Sequence, residues 1–361
     1  MLLLTNDDVR EVLDMNATLA ALEVGYRDFI RHDAAYRPRI DFWAPCGRED
    51  AYYRWRSMEG LCRTYGVFAI RIGSEIVHWP KPGVQTYYTV KPGTVCGSIW
   101  LYSIDNGAPL AILKDDYLQH MRVGGCAGLG AKYLAREDSE IVGIVGSGGM
   151  ARSYLQGLCE VRKIKRAKVF SPSKENRERY AREMSNLLGI AIEPSSDPKE
   201  VVEGSDIVAT CTASNVPVVE DPAWVTEGTH LITTRATEWS EAIVDRADKV
   251  VMLGPGMFNM LDDEMVRFHQ HCAYVVGQPE EVKRIPEPSV DIYSRRYPCL
   301  TEIMEGKLTG RESQKEITFF INQGTQGLQF AAVGGCVYRL AKEKNLGKEI
   351  PDEWFLEDVK G

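Results

Sequence analysis

From residue 139 to residue 253, short apolar runs alternate with longer stretches of mixed polarity. Residues 139–145 carry Ile141, Val142, Ile144 and Val145 with no charge after Glu140, the composition of a buried strand. Residues 167–170, 190–192, 206–211, 231–234 and 249–253 read as further strands. Met150, Tyr154, Leu155 and Leu158 recur at helical spacing, residues 174–188 form a charged amphipathic pattern, and residues 197–203 a short helix. Strands alternating with helices predict a parallel sheet with right-handed crossovers. The flanks differ. Residues 9–30 place Val9, Val12, Leu13, Leu19, Leu22, Tyr26 and Ile30 at helical spacing, whereas residues 51–76, 85–90 and 97–104 alternate as strands. Asp105-Asn106-Gly107 is a tight-turn sequence. Beyond Pro286 the chain reads as helical again, with residues 317–342 a long stretch rich in Gly and Ala. The expected architecture is α/β, a parallel unit over residues 131–284 inserted in a discontinuous α+β unit of residues 1–130 and 285–361.

The first strand of the parallel unit runs into Gly146-Ser-Gly148-Gly149-Met150-Ala151, a Gly-x-Gly-x-x-Ala turn that opens a helix. In a strand–turn–helix context this is the pyrophosphate turn of a Rossmann dinucleotide-binding fold. Gly146 permits the tight turn, Gly148 lets the backbone approach the phosphates, and Ala151 lets helix and strand pack closely. The helix N-terminus offers unpaired N–H groups and a positive dipole end to an anion. Gly149 and Met150 lie in the same turn. The second strand ends in Ser171, Ser173 and Lys174, with Arg177 one turn later, and carries no acid at its tip to bind the ribose hydroxyls of NAD. Hydroxyls and cations suit a 2′-phosphate, so NADP(H) is the expected cofactor and NAD(H) the alternative.

At 361 residues the chain is long enough for two domains. Hydrophobic content of 44% and charged content of 26% are those of an ordinary globular protein. A formal charge of −8 leaves no basic footprint for nucleic acid, and no apolar run reaches the roughly 20 residues that span a bilayer. The first residues are too short for a signal peptide before Asn6-Asp7-Asp8. Nine scattered cysteines without a Cys-x-x-Cys pair suggest reduced thiols and a cytoplasmic location. Asp262, Asp263, His269, His271 and Cys272 are the one metal-like grouping, and a solvated loop accounts for them better, so no metal is expected.

Several segments resemble the ornithine cyclodeaminase/μ-crystallin family. They are Tyr36-Arg37-Pro38-Arg39, Ile104-Asp-Asn-Gly107-Ala-Pro-Leu-Ala111, and Gln119-His-Met-Arg122-Val-Gly-Gly-Cys-Ala-Gly-Leu-Gly130-Ala just before the glycine turn. Met304-Glu-Gly306-Lys-Leu-Thr-Gly310-Arg311 and Glu316-Ile-Thr318-Phe-Phe follow late in the chain. The resemblance implies a homodimer whose discontinuous domains build a shared β-structure, with a small α-amino, α-imino or α-keto acid held between that domain and the nicotinamide. It implies that Arg39 and Arg122 hold the substrate carboxylate, a task suited to a planar guanidinium. It also implies that Thr210 and Thr212, ending the fourth strand, line the ribose and nicotinamide.

The chain departs from the family pattern in three places. Where the family carries a lysine near the reacting carbon, this sequence has Arg71, which cannot serve easily as a general base but can bind a second carboxylate or polarise a carbonyl. Where cyclodeaminases place an aspartate, Ser240 falls, with Glu238 and Glu241 beside it. In the C-terminal helix Gln329 replaces an aspartate. These changes disfavour a substrate with a basic tail, which Arg71 and Arg235 would repel. The sequence therefore points to an oxidoreductase acting on a small imino or keto acid. Arg39, Arg71 and Arg122 would bind substrate, and Arg71, Glu238 and Ser240 would stand at the reacting centre. The proton donor is open among Glu238, Glu241, His78 and a water. An ammonia-lyase that recycles NAD and a non-catalytic NADPH-binding protein are the rivals.

Overall fold

The computed structural model describes residues 1–254, 266–267, 271–275, 279–284 and 297–359. In chain order the elements are β1 (Leu2–Leu4), α1 (Asn6–Val12), α2 (Met15–Ile30), β2 (Ala34–Tyr36), β3 (Ile40–Cys46), β4 (Arg48–Cys62), β5 (Val67–Lys81), β6 (Val84–Tyr88), β7 (Cys96–Ser103), β8 (Pro109–Lys114) and α3 (Asp116–Leu134). There follow β9 (Ile141–Val145), α4 (Gly149–Val161), β10 (Arg166–Phe170), α5 (Lys174–Leu188), β11 (Ala191–Ser195), α6 (Pro198–Val202), β12 (Ile207–Thr210), β13 (His230–Thr233), α7 (Glu241–Arg246) and β14 (Lys249–Met252). The last are β15 (Val266–Arg267), β16 (His271–Val275), α8 (Pro279–Val282), α9 (Leu300–Met304), β17 (Thr318–Ile321), α10 (Gln326–Glu343) and β18 (Lys348–Glu349).

The alternating apolar runs do form a parallel sheet, in the order β11-β10-β9-β12-β13-β17-β14. The chain first winds outward from β9 through β10 to β11, then returns to the other side of β9 as β12. The crevice between β9 and β12 is therefore the topological switch point where α/β sheets bind ligands. The flanking segments build a second, mainly antiparallel sheet of 11 strands, with β4 and β5 as its long central hairpin.

Three expectations are revised. Residues 9–30 are not one helix: Asp14 accepts a hydrogen bond from Ala17 N and starts α2 afresh after α1 ends. Residues 318–321 are not helical. They form β17, wholly buried between β13 and β14, so a segment far along the chain completes the dinucleotide sheet. Thr318, Phe319, Phe320 and Ile321 are β-branched or aromatic, and a four-residue apolar run cannot be told from a helix start by periodicity alone. Conversely, β16 pairs in parallel with β3 and so belongs to the large sheet, although residues 271–275 lie inside the segment assigned to the inserted unit. Asp262, Asp263 and His269 lie outside the described residues; His271 and Cys272 are on β16. No helix among the described residues is long and apolar enough to cross a membrane.

What fixes the two units together is the crossing of α3 and α4. A Cβ on Gly124 would fall 2.2 Å from Ser153 O, one on Gly128 2.5 Å from Gly157 O, and one on Gly157 2.2 Å from Gly124 O. The helix backbones touch, and only glycine permits it. Gly157→Ala therefore tests the crossing. In a free helix the change would stabilise by roughly 0.5–1 kcal/mol, but here it should lower stability by about 1–3 kcal/mol through overpacking. A urea-unfolding midpoint equal to or above that of the native protein would refute the close contact.

Candidate functional site

The buried strand β9 delivers the chain to Gly146, whose φ of 122° lies outside the range of most L-residues. A Cβ there would sit 2.3 Å from Cys211 O at the end of β12. Gly148 is the N-cap of α4 and makes no side-chain cap. A Cβ on Gly148 would meet nothing within 4 Å, so there is open space beside the turn. Ala151 is fully buried and its carbonyl accepts from Tyr180 Oη at 2.9 Å. Gly149 faces the His120 ring, and Met150 reaches the cavity described below. This turn fits a dinucleotide pyrophosphate: a tight glycine bend, an uncapped helix start and room beside it.

At the end of β10, Ser171 is buried and Ser173 caps α5 by accepting from Asn176 N at 3.2 Å. Arg177 Nη1 donates to the Ser171 carbonyl at 3.0 Å, and Lys174 is exposed, 3.7 Å from Glu178. The loop thus brings two hydroxyls and two cations to the place where a ribose 2′-substituent would lie.

The opposite end of the site is organised by Glu238, which is 0% exposed. Its carboxylate accepts from Thr212 N at 2.5 Å, Thr212 Oγ1 at 2.7 Å and Thr210 Oγ1 at 2.9 Å. Trp239 Nε1 donates to the same Thr210 hydroxyl at 2.9 Å. Burial pushes the Glu238 carboxyl up, and the bonds from Thr212 pull in the other direction without cancelling it. The result is a clamp on the turn after β12. Ser240, by contrast, donates to Glu220 O at 2.7 Å at the start of α7 and does not line the cavity. His78 Nε2 lies 2.6 Å from Thr86 Oγ1 in the β5–β6 hairpin and also lies outside the lining, as does Glu241.

Strand alternation gathers arginines on one face of the large sheet. Arg39 and Asp41, Arg54, Arg56 and Met58, and Arg71, Gly73 and Glu75 share it, with Asp41 opposite Arg56, Arg54 opposite Glu75 and Met58 opposite Arg71. Arg39 Nε donates to Asp41 Oδ1 at 2.6 Å. Arg54 Nε donates to Glu75 Oε1 at 2.7 Å and Arg56 Nη2 to Glu75 Oε2 at 2.9 Å. Arg71 Nε donates to Asp115 Oδ2 at 2.6 Å. Arg122, on α3, differs. Its partners are neutral, Gln329 Oε1 at 2.6 Å and Gln119 Oε1 at 2.8 Å, and its guanidinium lies 4.8 Å from the Phe330 ring centre. Arg122 is 7% exposed, and burial pulls it down to about 10.

A cavity of about 840 Å³ separates this face from the C-terminal ends of the parallel strands. Met150, Cys211, Thr212, Thr234, Glu238 and Asn322 line one side, and Arg39, Arg54, Arg56 and Arg122 the other. Of the arginines singled out from sequence, Arg39 and Arg122 thus open into it. Arg71 does not: it is 4% exposed, behind the wall and paired with Asp115. Arg54 and Arg56 had no role in the sequence reading, and Gln119 entered it only as the start of a family segment. The signal was Arg54-x-Arg56 at strand spacing with Met58, two cations on the parity of a buried residue.

Residues 89–345 match the sequence pattern of the Ornithine cyclodeaminase/mu-crystallin family. Alanine dehydrogenase of Archaeoglobus fulgidus is 28% identical over 355 residues, 97% of this chain and 98% of that one. The structure of Thermococcus litoralis Δ1-pyrroline-2-carboxylate reductase in complex with NADH and L-proline superposes with a TM-score of 0.77 at 27% identity, covering 97% of this chain and 100% of that one. An archaeal alanine dehydrogenase dimer with bound NAD gives 0.73 at 24% identity, covering 97% and 99%. With its dinucleotide unit set into a discontinuous β-rich unit and Arg122 on the helix leading into the glycine turn, the chain belongs to the ornithine cyclodeaminase/mu-crystallin family.

Proposed function

We propose that this protein is a nicotinamide-dependent oxidoreductase that interconverts a small 2-imino or 2-keto acid and the corresponding amino acid. One observation carries the reading. Arg122 is a buried guanidinium with no carboxylate partner among the described residues, and it opens into the same cavity as the threonine-rich ends of the dinucleotide sheet. A buried, uncompensated cation is costly, so an anionic substrate group that pairs with it gains affinity and a fixed orientation. The likeness to a dehydrogenase and an imine reductase over nearly the whole chain supports the same chemistry.

Arg122 holds the α-carboxylate, aimed by Gln119 and Gln329, which accept its N–H groups, while Arg39 lines the same cavity paired with Asp41. When bound, the reduced cofactor supplies the hydride that the α-carbon takes up. Glu238 is a positioning residue: both its oxygens are engaged by Thr210 and Thr212, so it holds the turn at that end of the site. The substrate nitrogen takes its proton from solvent, since His78 and Glu241 lie outside the cavity lining. Orientation and charge are the protein's contribution. An ammonia-lyase acting on a diamino acid is disfavoured, because a second ammonium would face Arg39, Arg54 and Arg56. The loop of Ser171, Ser173, Lys174 and Arg177 favours NADP(H), with NAD(H) also used. The protein acts in the cytoplasm as a homodimer, like the archaeal dehydrogenase solved as a dimer.

Four outcomes follow from this reading. Purified protein should oxidise reduced nicotinamide only when a 2-keto acid and ammonia or methylamine are both present. Arg122→Gln should lower kcat/KM on the order of 10²-fold, mainly through KM, as expected for losing a buried charge partner. An unchanged KM would remove Arg122 from the carboxylate site. Lys174→Ala with Arg177→Ala should cut the ratio of NADPH to NADH efficiency by roughly 10-fold, about 1.4 kcal/mol of lost charge contact; an unaltered ratio would contradict the NADP assignment. The folded state holds the Glu238 proton more tightly than the unfolded chain, so this contribution is present at low pH and fades as pH rises through the carboxylate range. Glu238→Gln should therefore gain melting temperature relative to the native protein as pH rises through the carboxylate range. A pH-independent difference between the two would overturn it.

A further inference from the structure

The charges on the arginine face do not cancel, and they fail to cancel in two separate places. Near α3, Arg71 is matched by Asp115, which leaves Arg122 with neutral partners only. Further along the sheet Arg39 is matched by Asp41, but Arg54 and Arg56 share the single carboxylate of Glu75. Among the described residues five arginines thus face three carboxylates, with one excess charge at each end. Arg71 lies within electrostatic reach of both Arg56 and Arg122, so the two ends belong to one wall.

The second end is built for an anion. Arg54 and Arg56 both line the cavity. Arg54 is 6% exposed and the Arg56 side chain 13%. Arg56 Nε is buried with no hydrogen-bond partner among the described residues. It packs over Gly73, where a Cβ would sit 2.9 Å away, so glycine on β5 is what leaves the guanidinium its place. The Tyr87 ring centre lies 5.8 Å from the Arg54 guanidinium and 5.6 Å from that of Arg56. In such a sheltered site a charge left without a partner attracts a counter-ion strongly.

Resting on the oxidoreductase reading above, we infer that the substrate is a dianion, a 2-imino or 2-keto dicarboxylate whose α-carboxylate pairs with Arg122 and whose distal carboxylate pairs with Arg54 and Arg56 across the same cavity. Arg56 is then the specificity-determining residue. Glu75 retains Arg54 when Arg56 is neutralised, so the fold tolerates that change.

The experiment compares dicarboxylic with monocarboxylic probes of matched chain length. Oxaloacetate and 2-oxoglutarate are set against 2-oxobutanoate and 2-oxopentanoate, each with ammonia and reduced cofactor. The native protein should favour the dicarboxylates on the order of 10²-fold in kcat/KM, and Arg56→Met should abolish that preference while changing monocarboxylate turnover by no more than a few-fold. Equal or better turnover of the monocarboxylates, or an equal loss of both classes in Arg56→Met, overturns the dianion site. A second readout separates this inference from the reaction it rests on: the rise in melting temperature with aspartate or glutamate against 2-aminobutanoate, in the presence of oxidised cofactor. Selective stabilisation by the dicarboxylic amino acids, lost in Arg56→Met, upholds the site even if no keto acid is reduced. No selectivity in either assay refutes it.

Discussion

The contact on which the site depends is the backbone-to-backbone crossing of α3 and α4. Gly124 and Gly128 on one helix meet Gly157 and the Ser153 carbonyl on the other at distances no Cβ could share. α4 begins at the glycine turn, and α3 carries Arg122. Locking these two helices sets the distance between the glycine turn and the Arg122 guanidinium. Interiors this closely packed transmit position faithfully. The nicotinamide end is held in the same frame through Tyr154 on α4, whose hydroxyl accepts from Asn322 Nδ2 at 2.8 Å, just beyond β17.

The second constraint is electrostatic. Burying several guanidinium groups on one sheet face is expensive unless carboxylates and hydrogen bonds compensate them. Asp41, Glu75 and Asp115 do so at three places, and each sits where strand register or a glycine gap brings it into contact. Asp115 reaches Arg71 over Gly97, where a Cβ would lie 2.4 Å from the carboxylate. The compensation is incomplete, and the groups left in excess, Arg122 and Arg56, both open into the cavity. A wall that keeps unmatched guanidinium groups facing a cavity is preorganised for an anion.

Glu238 shows the same economy on the dinucleotide side. A carboxyl buried among threonines and a tryptophan would be an apparent candidate for proton transfer, but its hydrogen bonds are spent on the turn after β12. The residue beside it in sequence, Trp239, packs edge-on against Phe319 of β17 at 5.6 Å. The loop after β13 is thereby pinned both to the cofactor crevice and to the strand contributed by the late segment.

By itself the sequence determined the parallel unit, its glycine turn and the identity of the family. Those depend on local patterns: β-branched runs, a helix start, and small residues at Gly146, Gly148 and Ala151. Arg122 was legible too, because it sits in a distinctive run of small residues leading into that turn. What the sequence left open was decided by contacts between distant residues. Nothing local shows that residues 318–321 form a strand, because only the gap between β13 and β14 requires one. Nothing near Arg71 shows that Asp115 lies 44 positions away against its guanidinium and keeps it out of the cavity. The grouping of Arg54 and Arg56 around Glu75 follows from the pairing of β4 with β5, and a one-residue slip in that register would turn each of these side chains to the opposite face. Residue types and local geometry are written along the chain, whereas the partner of each charge is set only when the strands pair.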